Sequence, residues 1–425
     1  MLRLFGCLAQ SRRQYPAFQT GCTIHLLAAT SRLSGGLGKI AENGHALPVG
    51  RWFGDTQVAS RGFAKRVAVA ALCCATLVSW ELSDSSEKDA QEATSAAQWS
   101  APATVSLIDE ETTFRNAGTP LSGTLYLPVS TRPVPAIVAF HDASVPTRDL
   151  ALYRHLKQIG PALGIGVFLF DRRGSGKSGG EPAHGDYEAL ADDGIAALRL
   201  LARDPRIDSK RIGFWGLSQG GWISLLAASR CPETAFTIAI SAPMTTPDVQ
   251  MIFAVTNILR IHGYSQADID IAVDARKAVD DFERGGLDRV TAQKRLNAAG
   301  AKPWFPLIYL GHTFEDPDKS GWAREIRHDP MSILLRVKAP TLIVYGAADP
   351  WVPVPLSVER LKASAARHPN ITTLVIAGAD HHMSLSTSLE AQVDPARLSY
   401  QEPDAPEYFA RLAAWLTDQG LAVGR

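Results

Sequence analysis

From about residue 103 the chain alternates short, unbroken apolar runs with stretches whose apolar residues recur at helical spacing. PAIVAFH (135–141), GVFLFD (166–171), RIGFWG (211–216), FTIAIS (236–241), TLIVYG (341–346) and TTLVIA (372–377) are continuous rather than alternating. Runs of that kind predict strands buried on both faces of a parallel sheet. Between them, 149–160, 186–203, a segment opening near 219, 356–367 and 407–419 have amphipathic helical patterns. Strand–helix alternation implies βαβ crossovers and a doubly wound sheet. Ahead of these, VSLIDEETTF and LSGTLYLP, separated by Arg-Asn-Ala-Gly-Thr-Pro, read as two antiparallel strands joined by a turn.

One interval breaks the rhythm. Residues 243–338 hold no convincing strand but several helical segments, among them DIDIAVDARKAVDDFERGG and RVTAQKRLNAAG. A loop that long without structure of its own is improbable, so the interval reads as a helical lid inserted over the strand ends. The core is then 103–242 with 339–420.

Charge and cysteine usage separate the N-terminus from this body. Formal net charge is zero over 425 residues, which leaves no basic footprint for nucleic acid. The first 80 residues nevertheless carry nine Lys/Arg against two Asp/Glu, and the rest is mildly acidic. Within 61–80 a basic start precedes VAVAALCCATLVSW, fourteen residues that are short for a membrane span and suit an export signal or an uncleaved N-terminal anchor. Residues 1–60 read as an unstructured leader or the product of a start assigned too early, and 81–102 as a solvated linker. The expected location is therefore periplasmic or secreted, with or without a membrane anchor; the Arg- and Ser-rich start also fits organelle targeting. Four of five cysteines lie in this stretch, and Cys231 alone in the body can form neither an internal disulfide nor a zinc site and reads as inert.

The chemistry sits at the ends of the predicted strands. Gly216-Leu217-Ser218-Gln219-Gly220-Gly221 matches Gly-x-Ser-x-Gly, follows the RIGFWG run and opens a helix. That is the setting of a nucleophile elbow, with Ser218 exposed on the turn and the Gln219 backbone N–H at a helix N-terminus. A serine hydroxyl needs a base, and the order Ser, acid, His is met by Asp349 after TLIVYG and His381 after TTLVIA. All three fall on the rim where open α/β sheets place their sites. His382 is a rival base and Asp380 reads as a loop former; no third ligand at a recognisable spacing makes the histidines a metal site. No metal or organic cofactor is expected. Gly174-Ser175-Gly176-Lys177-Ser178 resembles the end of a phosphate loop, but Asp171 stands where the first Gly is needed, and Gly180, Pro182 and Gly185 prevent the helix a dinucleotide site requires.

Together, Asp171-Arg172-Arg173-Gly174-x-Gly176-x-Ser178, the elbow, Gly346-x-x-Asp349-Pro-x-Val-Pro and Gly378-Ala-Asp-His381 resemble the secreted α/β-hydrolases of the carboxylesterase and serine aminopeptidase-like group. The resemblance implies an α/β-hydrolase fold: a mostly parallel, doubly wound sheet with a helical lid. The first segment is a structural turn in such proteins and carries no chemistry. Relatives have His-Gly after the third strand, where a backbone N–H is the second oxyanion donor; here the run is His141-Asp142-Ala143-Ser144, so Ala143 becomes the donor and Asp142 the departure. The expectation is acyl transfer to Ser218 on a small ester of short to medium acyl length. The alternatives are a peptidase with the same residues, or a binding protein that kept the fold and lost catalysis.

Overall fold

A computed structural model describes residues 105–422 apart from 145, 184, 395, 398 and 399. The expected leader, export signal or anchor, and linker (1–102) lie outside the described residues.

The first two strands, β1 (Leu107–Asn116) and β2 (Thr119–Pro128), form a hairpin closed by two residues rather than the six-residue turn read from the sequence. Ala117 (φ 46°) and Gly118 (φ 85°) both take the left-handed backbone that matches strand twist in so short a turn. Arg115, Asn116, Thr119 and Pro120 read as loop, yet they pair as the last rungs of the ladder. β1 is the outer strand, and its exposed Asp109, Glu110 and Glu111 discourage edge-to-edge pairing.

The remaining strands are β3 (Val134–Phe140), β4 (Gly166–Phe170), β5 (Ile207–Leu217), β6 (Thr237–Ile240), β7 (Thr341–Gly346) and β8 (Ile371–Ile376). They join in the order β1-β2-β4-β3-β5-β6-β7-β8, antiparallel at the first two pairings and parallel from β4 onward. This is the mostly parallel sheet that the apolar runs predict and the α/β-hydrolase arrangement that the resemblance implies. β3, β4, β6 and β7 are buried at every position, because helices cover both faces.

Alternate residues feed two cores. Val138, Phe140, Ile343 and Tyr345 pack toward α2 (Tyr187–Leu201), α3 (Gln219–Arg230) and α9 (Val354–Ser364). Ile137, Ala139, Leu342 and Val344 pack toward α1 (Arg154–Ala162) and α11 (Pro406–Asp418). Cys231, just past α3, is buried and its thiol is pushed up by burial, consistent with an inert side chain.

Between β6 and β7 the chain runs through α4 (Pro247–Ile261), α5 (Gln266–Glu283), α6 (Arg289–Gly300), α7 (Gly321–Glu325) and α8 (Pro330–Leu334), with no strand among them. Local capping sets the starts: Ser265, Asp288, Ser320 and Asp329 each accept a backbone N–H from the first turn of the helix they precede. The first three helices have an apolar centre of their own, built on Val255, Leu259, Val279, Leu296, Trp304 and Ile308. Pro247, Gln250, Tyr309, Trp322 and Glu325 from this segment reach the cleft described next. After β8 come α10 (Leu389–Gln392) and α11.

Candidate active site

Ser218 occupies the single residue between β5 and α3, at φ 56° and ψ −120°. A non-glycine residue in that region is strained and persists only where its surroundings hold it. Its N–H donates to the Ile240 carbonyl at 2.7 Å, and its own carbonyl accepts from the Gly221 N–H at 2.9 Å. The turn is possible only because strand and helix nearly touch. A Cβ on Gly216 would stand 2.0 Å from the Gly220 carbonyl oxygen, and one on Gly220 would stand 2.5 Å from that of His141. Ser218 itself is only half-buried and lines a partly open cleft.

His381 lines the same cleft. Its Nδ1 lies 2.7 Å from Asp349 Oδ2, so the loops after β7 and β8 bring together two residues distant in sequence. The other oxygen of Asp349 accepts the N–H groups of Trp351 (2.7 Å) and Val352 (3.1 Å), which fixes the carboxylate's orientation. Burial alone would lower the basicity of His381, but the carboxylates around it, Asp349 first and then Asp380 and Asp142, hold the imidazole above its ordinary value. Of the two neighbouring histidines, then, His381 faces Asp349, while the ring of His382 faces Asp142 at 3.8 Å. Asp380 is a loop former, its Oδ1 accepting the N–H groups of His382 and Ser384 at 2.8 Å each.

Gln219 opens α3, so its N–H lies outside the helix's own ladder. Ala143 lines the cleft from the loop after β3. The position expected to trouble this loop is Asp142, and two of its features were not foreseen. It keeps a negative φ, although it stands where relatives have glycine. Its carboxylate is turned onto Ser144, accepting that residue's N–H at 2.9 Å and its hydroxyl as well.

Arg172, in the turn read from the sequence as structural, also reaches the loop and the elbow. Its buried guanidinium donates from Nη2 to the carbonyls of His141 (3.1 Å) and Asp142 (3.0 Å), and from Nη1 to Gln219 Oε1 (3.2 Å). Across a planar trans peptide, the Ala143 N–H points opposite to the Asp142 carbonyl. Arg172 thus sets the direction of that N–H and ties it to the elbow. Gln219 Nε2 continues the network to Tyr187, whose hydroxyl donates to Glu325 Oε2 at 3.1 Å. The available signal was a charged residue set directly behind an unbroken apolar strand, where burial demands partners. The rest of that turn is structural as read. Asp171 accepts the N–H groups of Arg148 and Lys177, Ser178 Oγ donates to the Asp171 carbonyl, and no helix follows the glycines. Among the described residues no group of three or more His, Cys, Asp or Glu is arranged to hold a metal ion.

The model of the X-Pro dipeptidyl-peptidase family S15 matches residues 117–382, more than half of the chain and a span that includes Ser218, Asp349 and His381. The chain belongs to the S15 family. Curated proteins similar to this S15 chain include polyketide transferase ATR5 of Stachybotrys chlorohalonatus, 36% identical over 91 residues (21% of this chain, 29% of the relative). Another is polyketide transferase claH of Penicillium crustosum, 33% identical over 86 residues (20% and 28%). The chain thus spans less than a third of the length of these relatives. Among solved structures, an esterase of Pyrococcus furiosus is 18% identical with a TM-score of 0.46, over 76% of this chain and 94% of that one.

Proposed function

We propose that this S15-family hydrolase cleaves a carboxylic ester of short to medium acyl length through an acyl-enzyme on Ser218. The observation that carries the reading is the 2.7 Å contact between Asp349 and His381, with His381 sharing one cleft with a serine on a strained elbow. His381 Nε2 takes the hydroxyl proton as Ser218 Oγ attacks the carbonyl carbon. Asp349 holds Nδ1–H and favours the imidazolium, in keeping with the raised basicity of that ring. The N–H groups of Gln219 and Ala143 receive the oxyanion; the alkoxide leaves with the His381 proton, and water repeats the sequence to free the acid. Trp222, Trp351 and Tyr309 give the cleft apolar walls suited to an acyl chain.

A second reading, hydrolysis of a peptide bond near a free amine, draws on the family's description and on Glu325, a buried carboxylate lining the cleft. Rates on p-nitrophenyl acetate or butyrate against X-Pro p-nitroanilides separate the two. For either, Ser218→Ala is expected to lower kcat by about 10⁶-fold and abolish labelling by a fluorophosphonate. Turnover within tenfold of the parent would overturn the assignment of Ser218.

A further inference from the structure

The cleft holds a second carboxylate–imidazole pair that the reaction above does not use. Asp142 and His382 both line it, and both are nearly inaccessible, at 5% and 2% exposure. Asp142 Oδ2 lies 3.8 Å from His382 Nε2, an ion-pair separation longer than a direct hydrogen bond. The other oxygen takes the Ser144 N–H, closing an Asx turn over 142–144. Burial would raise the Asp142 carboxyl, yet His382 and Ser144 together hold it below the usual carboxylate range. On its far side His382 gives its backbone N–H to Asp380, whose own carboxyl is pushed up by burial. Asp142 is the carboxylate within ion-pair distance of the ring nitrogen.

A carboxylate here has a clear cost for acyl transfer. The next residue, Ala143, carries one of the N–H groups assigned to the oxyanion, so a fixed negative charge stands one residue from where negative charge develops. For a carboxylate as buried as Asp142 such repulsion is weakly screened. The Asx turn supplies the benefit, since it orders the loop whose Asp142 carbonyl Arg172 already grips.

We propose that His382 is a positioning residue that holds the Asp142 carboxylate toward its own ring, so that the ordered 142–144 turn presents the Ala143 N–H to an oxyanion with the opposing charge turned aside. The proposal rests on the acyl-enzyme reading given above. The two residues act as one device: the acid shapes the loop, and the histidine holds aside the charge that shaping introduces.

A double-mutant cycle on the full chain tests this, with kcat and KM measured on p-nitrophenyl acetate for the parent, His382→Gln, Asp142→Asn and the double variant. Asn retains an acceptor for the Ser144 N–H and carries no charge. His382→Gln is expected to lower kcat by about 10- to 100-fold with KM nearly unchanged, because the loss falls on the transition state. In the Asp142→Asn background the same step is expected to cost less than about threefold, so the double variant outperforms His382→Gln. A ring with a merely structural role would cost the same in both backgrounds, and that equality overturns the proposal, as does a His382→Gln variant within twofold of the parent. If His382→Gln fails to fold, His382→Asn in the two backgrounds makes the same comparison. Fluorophosphonate labelling of the parent at Ser218 is the separate control: an unlabelled, inactive parent removes the acyl-enzyme reading itself, whereas a labelled parent with no rescue removes only the role of His382.

Discussion

Replacing Asp349 by Asn tests the arrangement at the point where geometry determines the outcome. Oδ1 of Asp349 accepts two backbone N–H groups, from Trp351 at 2.7 Å and Val352 at 3.1 Å. An amide NH₂ cannot accept, so the substituted side chain must keep its carbonyl oxygen there and turn its NH₂ toward His381 Nδ1. Nδ1 then becomes an acceptor, the imidazole proton moves to Nε2, and the ring cannot take a proton from Ser218. The wrong tautomer in an otherwise intact site corresponds to a loss of about 10⁴ in kcat, or about 5 kcal/mol of transition-state stabilisation. The assay is p-nitrophenyl acetate hydrolysis from pH 5 to 9, with the melting temperature as a control on folding. In the parent the rate should climb as His381 loses its proton, with a midpoint above 6.5 because Asp349 raises that ring. Asp349→Asn removes the carboxylate chiefly responsible, so any residual activity should have its midpoint displaced to lower pH. A folded Asp349→Asn variant with kcat within tenfold of the parent, or with an unmoved midpoint, would refute the reasoning.

Stability should depend on pH through three buried histidines. His141 is lowered to about 3, and His155 and His328 to about 4, in each case chiefly by burial. These rings fold neutral, so their contribution is complete above 6.5 and is lost as pH falls toward those values, at about 1.4 kcal/mol per pH unit for each ring. His381 works in the opposite sense: its folded value is raised, so its contribution is present below 6.5 and fades as pH rises through the folded value. Urea unfolding at pH 7, 6 and 5 should show the first effect, and an unchanged midpoint would contradict it. Gly220→Ala places a methyl 2.5 Å from the His141 carbonyl oxygen and 2.7 Å from that of Phe140. It is expected to cost more than about 2 kcal/mol in denaturant unfolding, and a neutral result would show that strand and helix are looser at the elbow than described. If 61–80 directs export with cleavage, protein isolated from its native host should begin beyond residue 80, which N-terminal sequencing reads directly; an unprocessed Met1 would refute cleavage.

The sheet was legible because strands covered by helices on both faces have no polar side to display, and β3, β4 and β7 lie within a residue or so of their apolar runs. Polar strand ends were not legible. β5 starts at Ile207, through Asp208, Ser209 and Lys210, before it passes under the helices, so backbone pairing rather than apolar content extends it. The same holds at the first hairpin, where Arg115–Asn116 and Thr119–Pro120 look like loop and pair as strand.

The elbow and the partner positions could be read along the chain because they depend on local chemistry: a Gly-flanked serine between strand and helix, and an acid and a histidine directly after two strands. Arg172 could not, since its three acceptors belong to His141, Asp142 and Gln219, which separate strand ends deliver to it. The choice of His381 over His382 rested in the sequence only on its place directly after Gly378-Ala379-Asp380. Adjacent residues share almost every sequence property, and it is the path of the loop after β8 that turns one ring to Asp349 and the other to Asp142. Backbone preference and burial are written in neighbouring residues. Which buried charge meets which partner depends on atoms that only folding brings within a few ångströms, where electrostatic energy changes most steeply with distance.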